Sequence, residues 1–261
     1  MRLRFLGTGT SFGVPQVGCQ CRTCTSTDPR DKRTRTAALI ESDGRRILID
    51  TPPELRLQLV AAGVGTVDAV LFTHGHADHV HGIDDLRAIS VKQPGGLSAY
   101  GPGETLAELA TRFPYIFDPA ILAQPGTSKP ELKPHPLTAG RDTEIAGMRV
   151  RALPLPHGTS NVFGYRIGPI AYLTDAKTIP DDVRAQLGNL QVLVLNGLFL
   201  SRSHPLHLSI PEAVAAAQAI GAPRTFLTHL THEVPHAELA AQLPSGIAPA
   251  YDGLAIEVGA V

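Results

Sequence analysis

His74-Gly75-His76-Ala77-Asp78-His79 places four strong metal-ligand side chains within six residues. The stretch follows an apolar run, Ala69-Val70-Leu71-Phe72, that ends in Thr73. A strand running into a loop can point closely spaced imidazoles and a carboxylate at one spot. Imidazole nitrogen and carboxylate oxygen are ligands that zinc, manganese and iron accept. No structural need calls for three imidazoles at this spacing, so the stretch reads as a hydrolytic metal site.

Other ligand-type residues stand just past predicted strand ends. His157 follows the strand Arg149 to Leu155, Asp175 follows Ile170 to Leu173, and His229 follows Arg224 to Leu227. Each alone reads as a surface, capping or turn residue. Loops at one edge of a sheet can converge, so all seven side chains can meet there.

Composition bounds the rest. The 261 residues fit one large domain, 43% of them are hydrophobic, and the net charge is -1. That charge argues against a broad basic surface for nucleic acid and leaves room for a small phosphorylated substrate. The N-terminus begins like a strand without an apolar leader, and no run suits a membrane span, so a cytoplasmic protein is expected. All three cysteines, Cys19, Cys21 and Cys24, lie within six positions. Such a cluster in a cytosolic chain suits a metal better than disulfides. Cys₃His is a standard structural zinc set, and His232, three residues past His229, is the expected fourth ligand.

Strands are expected at 2–6, 37–41, 46–50, 68–73, 97–100, 144–145, 148–155, 163–167, 170–173, 192–195, 224–227 and 250–258. Helices are expected at 53–62, 82–90, 104–112, 211–220 and 236–243. The pattern suits two packed sheets with helices outside, an α/β (α+β) domain over 1–261. A zinc-binding loop is placed at 18–25 and an irregular Pro-rich insertion around 114–136.

The motif His-x-His-x-Asp-His resembles that of the metallo-β-lactamase superfamily. The resemblance implies a four-layer αββα sandwich with two divalent metals, zinc or manganese with iron as a further option. It implies that His74, His76 and His157 hold one metal, that Asp78, His79 and His229 hold the other, and that Asp175 bridges them. Asp50 ends its strand as that family expects, though Thr51-Pro52-Pro53 follows where a Gly is common. Gly7-Thr-Gly-Thr, Gly18-Cys-x-Cys-x-x-Cys24 and Leu227-Thr-His-x-x-His232 narrow the likeness. They resemble the phosphoribosyl 1,2-cyclic phosphate phosphodiesterase branch, whose members carry an extra structural zinc.

That branch implies a phosphoric diester hydrolase acting on a small cyclic or nucleotide-like phosphodiester. Two metals roughly 3.5–4 Å apart activate a shared water, and Asp78 orients it as well as binding metal. His207 aligns with a histidine that the branch places near the leaving group, and its competing role is to cap or pack at a helix start. His204 is the weaker choice; His81 and His236 read as surface or supporting residues, and His135 as a loop residue. Asp50, Asp84 and Asp85 are candidates to orient metal-bound histidines. Arg33, Arg35 and Lys177 are candidates for a substrate phosphate, with a solvated surface as the alternative. The competing functions are a transfer-RNA 3′-processing nuclease, a glyoxalase II-type thioester hydrolase, and a zinc-stabilised binding module. No membrane partner is expected, and a homodimer is left open.

Overall fold

The computed structural model describes residues 1–158 and 160–259. The first half forms β1 (Arg2–Gly7), β2 (Ala37–Ser42), β3 (Arg45–Ile49), α1 (Leu55–Ala61), β4 (Ala69–Leu71), α2 (Ala77–Val80) and α3 (Arg87–Ser90). It continues with β5 (Leu97–Gly101), α4 (Gly103–Arg112), α5 (Pro114–Phe117) and β6 (Leu132–Pro136). The second half forms β7 (Asp142–Ile145), β8 (Met148–His157), β9 (Ser160–Ile167), β10 (Ile170–Leu173), α6 (Asp181–Arg184) and β11 (Val192–Asn196). It closes with α7 (Ile210–Ile220), β12 (Arg224–Thr228), α8 (His236–Gln242), β13 (Ile247–Pro249) and β14 (Ala255–Glu257).

Among the described residues the strands make two sheets, ordered β14-β1-β2-β3-β4-β5-β6 and β13-β12-β11-β10-β9-β8-β7. The strands read as continuous apolar runs because both faces of each sheet are covered. In β3, Ile47 and Ile49 point between the sheets while Leu48 packs outward. In β11, Val192 and Val194 point between the sheets while Leu193 and Leu195 pack under the outer helices. Three apolar layers therefore separate four structural ones, the expected αββα sandwich.

Strand direction positions the site. β3, β4, β5 and β6 pair in parallel, so Asp50 and the segment 73–79 leave the first sheet at one edge. β10, β11, β12 and β13 are also parallel, and two antiparallel steps through β9 turn β8 the same way. His157, Asp175 and His229 thus leave the second sheet at its own carboxyl edge, where open parallel sheets place ligands. The two edges are stitched together. Phe163 N donates to Thr73 O at 3.0 Å, and the buried Tyr165 hydroxyl donates to Phe72 O at 2.5 Å.

The structure revises several expectations. The span 114–136 is not wholly irregular: it holds α5 and β6, with Pro134 and Pro136 on an edge strand that needs no outward donors. Its His135 stacks on Tyr100 at 4.8 Å. The expected helix at 82–90 is a 3-10 turn, Ile83–Leu86, running into α3. The expected last strand, 250–258, shrinks to β14, and a separate short strand, β13, precedes it. β13 pairs with β12, the chain turns through Asp252-Gly253, and β14 pairs with β1. Asp252 secures the crossing by accepting from the Thr8 hydroxyl at 2.7 Å and from Thr34 N at 2.7 Å. No described helix is long and apolar enough to cross a membrane.

Ile47 has no exposed surface, whereas Leu57 on α1 is 56% exposed. Ile47→Ala is expected to cost about 2–5 kcal/mol in denaturant unfolding. Leu57→Ala is expected to cost less than about 0.5 kcal/mol. Equal costs would contradict the layer assignment.

Candidate metal centre

The six-residue motif leaves β4 as a loop and then starts a helix, so α2 itself carries Asp78 and His79. Candidate ligand atoms fall into overlapping groups in which all atoms lie within 4.8 Å of one another. These groups are His74, His76 and His157; His74, His79 and Asp175; and Asp78, His79 and His229. A further group joins His157, Asp175 and His207. The seven sequence-predicted side chains therefore meet, with Asp175 at the junction. Its Oδ2 is 3.2 Å from His79 Nε2, and its Oδ1 is 3.3 Å from His229 Nε2. Asp78 Oδ2 lies 3.6 Å from His79 Nε2 and 3.8 Å from His229 Nε2.

Backbone strain accompanies the site. Asp50, Asp175 and His229 hold φ of 64°, 56° and 55°, a left-handed region costly for residues with a Cβ. Glycine would relieve each position and delete the functional side chain. Such strain concentrates at functional sites.

The local charges call for cations. Burial opposes charge on His79, yet the carboxylates of Asp175 and Asp50 hold its imidazole well above the ordinary range. Burial pushes Asp175 and Asp78 upward. The neighbouring histidines override it, and both carboxylates stay below the usual range. Burial and the surrounding imidazoles drive His74 well below. Meanwhile His79 Nε2 and both ring nitrogens of His229 are buried without a hydrogen-bond partner. The Nε2 atoms of His79 and His229, unpartnered and facing the Asp78 and Asp175 carboxylates, fit divalent metals.

Supporting contacts orient the rings. Asp50 Oδ2 is 2.7 Å from His79 Nδ1, and the same carboxylate accepts from Thr73 N and the Thr73 hydroxyl, each at 2.8 Å. His74 Nδ1 sits 3.0 Å from the Thr73 oxygen, and His157 Nδ1 sits 3.1 Å from Leu206 O. Of the three aspartates expected to orient histidines, Asp50 does so. Asp84 instead pairs with Arg87 and accepts from Tyr115, and Asp85 accepts from Arg56 N. Thr73 and the Leu206 carbonyl escaped sequence reading. Thr73 was visible only as the polar end of an apolar run, and a carbonyl leaves no trace in side-chain identity.

His207 stands at the rim. Its Nδ1 is 3.4 Å from Asp175 Oδ1, its ring stacks on His229 at 4.9 Å, and burial pushes its pKa down to about 3. His81 is exposed and takes an Arg112 contact at 2.5 Å. His236 is not a surface residue: it is buried away from the metal centre, its N–H on Asp31 and its Nδ1 3.2 Å from Arg33. Arg33 is likewise buried, donating to the Thr8 hydroxyl and Ala250 O, so it braces loops instead of facing substrate. Arg35 pairs with Glu54, and Lys177 with Glu212 at 2.7 Å.

The cysteine cluster forms a second centre. Cys19, Cys21, Cys24 and His232 offer ligand atoms within 4.8 Å of one another. His232 Nδ1 is 3.4 Å from Cys19 Sγ and 3.2 Å from Cys21 Sγ. Burial would raise the Cys21 thiol, but the hydrogen bond to His232 and bonds within the loop bring it to about 6. Burial lifts Cys24 to about 11. Three sulfurs and one imidazole fit tetrahedral zinc.

A family model described as a beta-lactamase superfamily domain matches residues 45–230. A diphosphatase of the PhnP family, known from a crystal structure, is 37% identical and superposes with a TM-score of 0.90. The match covers 99% of this chain and 98% of that one. The chain belongs to the metallo-β-lactamase superfamily, in its PhnP branch. The octanoyltransferase of Porphyromonas gingivalis is 42% identical over 256 residues, 97% of this chain and 51% of the relative. This PhnP-branch chain therefore spans about half the length of that relative. Zinc-bound PqqB from Methylobacterium extorquens shares the fold, with 20% identity, a TM-score of 0.80, and coverage of 99% and 100%.

Asn tolerates the left-handed backbone at position 50 but lacks the charge facing His79. Asp50→Asn is expected to weaken metal binding roughly 10- to 100-fold in chelator competition. Unchanged affinity would remove Asp50 from the supporting role. Cys21→Ser is expected to lose one zinc per chain by elemental analysis and to unfold several degrees earlier. Retained zinc with an unchanged unfolding temperature would leave the cysteine cluster without a metal role.

Proposed function

We propose that this chain is a dinuclear metal-dependent phosphodiesterase. Its substrate is a small cyclic or nucleotide-like phosphodiester, with phosphoribosyl 1,2-cyclic phosphate as the branch's type. The position of His207 carries the reading, because it puts an imidazole beside Asp175 at the mouth of the ligand cluster. Full-length similarity to a PhnP-family diphosphatase supports it.

His74, His76 and His157 would hold one divalent metal and Asp78, His79 and His229 a second, with Asp175 within reach of both groups. The cysteine cluster with His232 would hold a structural zinc. Zinc, manganese and iron all suit the mixed imidazole and carboxylate set. When bound, the metals supply a water activated at neutral pH and positive charge against the phosphoryl oxygens.

The chain's own residues do the rest. Asp78 orients the attacking water through its carboxylate. Asp50 and Thr73 fix the rings of His79 and His74. His207 handles the departing oxygen. Burial keeps its imidazole neutral in the free protein, and an anionic phosphodiester beside it favours the protonated form. That imidazolium then gives its proton to the leaving alkoxide.

A thioester hydrolase has no such need, because a thiolate leaves without a proton. A transfer-RNA nuclease fits poorly with a net charge of -1 and with a 114–136 segment that supplies a short helix and an edge strand. On this reading the partner is a small phosphodiester.

Turnover separates these readings. His207→Ala is expected to slow a 2′,3′-cyclic nucleotide roughly 10²- to 10⁴-fold, the usual worth of a general acid. It should slow bis-p-nitrophenyl phosphate far less, since nitrophenolate leaves unprotonated. Full activity of the variant on the cyclic nucleotide would end the acid assignment. Wild-type activity confined to a thioester would end the phosphodiesterase reading.

A further inference from the structure

The arm between β11 and α7 holds more than His207. Its rings form a ladder leading out of the metal centre. His229 and His207 stack at 4.9 Å with 20° between planes. His207 faces His204 at 5.1 Å and 39°, and His204 faces Phe199 at 6.1 Å and 49°. The guanidinium of Arg202 lies 3.9 Å over the Phe199 ring.

The arm's backbone is pinned. Leu198 N donates to Leu208 O at 2.9 Å, and Ile210 N to Phe199 O at 2.8 Å. The Thr231 hydroxyl holds Leu198 O at 3.0 Å, and Glu233 accepts from Leu200 N at 2.5 Å. Lys177 braces Ser203 at 3.1 Å, but its charge is already answered by Glu212. Arg202 is exposed and has no carboxylate partner among the described residues. A packing role accounts for the Arg202 contact with Phe199 taken alone. It does not account for a run of neighbouring rings, stacked at the inner rung and tilted beyond it, whose inner rung is a candidate metal ligand.

We propose that the ladder reads the non-reacting half of the substrate: a nucleobase lies against His204 and Phe199, and a further anionic group meets Arg202. Two rungs of 5.1 and 6.1 Å separate His207 from Phe199, a span suited to a ribose and its base extending from the reacting phosphate. Aromatic side chains accept any base face, and a guanidinium pairs with phosphate in a fork. The substrate is then a base-bearing nucleotide phosphodiester in preference to a bare sugar cyclic phosphate. This inference rests on the phosphodiesterase reading above.

The test compares 2′,3′-cyclic AMP with the 2′,3′-cyclic phosphate of methyl riboside, which keeps the reacting ring and lacks the base. The metal-loaded wild-type protein is expected to favour the nucleotide at least tenfold in kcat/KM. Phe199→Ala is expected to lose roughly 5- to 150-fold on the nucleotide, mostly through KM, matching the worth of one stacked base. It should stay within twofold on the methyl riboside. Arg202→Ala, a surface change, should abolish any preference for a nucleotide that also bears a 5′-phosphate. Equal wild-type rates on both compounds, or a Phe199→Ala loss shared by both, would overturn the proposal. So would cleavage of bis-p-nitrophenyl phosphate with neither ribose compound turned over. Failure to cleave any phosphodiester would instead sink the underlying reading.

Discussion

His79 is held between two carboxylates that belong to different sheets. Asp50 ends β3 of the first sheet and lies 2.7 Å from one ring nitrogen; Asp175 follows β10 of the second and lies 3.2 Å from the other. All three side chains are buried. Isolated buried carboxylates are costly, and their mutual repulsion at this range adds to the cost. Positive charge between the sheet edges offsets both. With metals absent, the carboxylates draw that charge onto imidazole; with metals present, the ions provide it directly. Cations bound at this site would therefore complete the interface between the two halves of the fold.

The same constraint explains where the backbone is strained. A strand that ends in a left-handed residue turns its next peptide sharply, and Asp50, Asp175 and His229 all do this at corresponding strand ends. Each turn brings its side chain to the cluster between the sheet edges. The cost is of order 1–3 kcal/mol per residue and persists only where the surroundings determine it. Here the surroundings are rigid: Thr73 is fixed by Asp50 from one side and by Phe163 N from the other. The motif's first histidine follows directly from that anchored threonine.

This arrangement was unevenly legible in the chain. His74 to His79 was readable from residue type and spacing alone, because no fold requires that density of imidazoles. Asp175 and His229 were readable only by position, as polar residues just past apolar strands, and the family resemblance supplied their roles. Asp50 was narrowed to one of three aspartates, which sequence position did not separate and geometry did. Arg33 and His236 were misplaced for one reason. Each looks solvent-loving by composition, yet they bury each other's polarity in a shared network. The placing of β13 and β14 in different sheets was hidden because alternation within a strand says nothing about which sheet it joins.

The segment Thr228 to His232 ties the two candidate metal centres together. His229 reaches the His/Asp cluster while His232, three residues on, reaches the cysteines. Between them Leu230 N donates to Thr8 O at 2.9 Å, and the Thr231 hydroxyl holds Leu198 O at 3.0 Å. Thr8 opens the loop that leads to the cysteines, and Leu198 opens the arm that carries His207. Five residues therefore fix a candidate ligand, the cysteine loop and the origin of the arm relative to one another. A thiolate-bound metal at His232 resists displacement of this span in a way that a surface loop held by hydrogen bonds alone does not. A metal held there would fix this span by geometry and would offset the entropy of ordering a Pro- and Gly-rich loop that lacks an apolar core of its own.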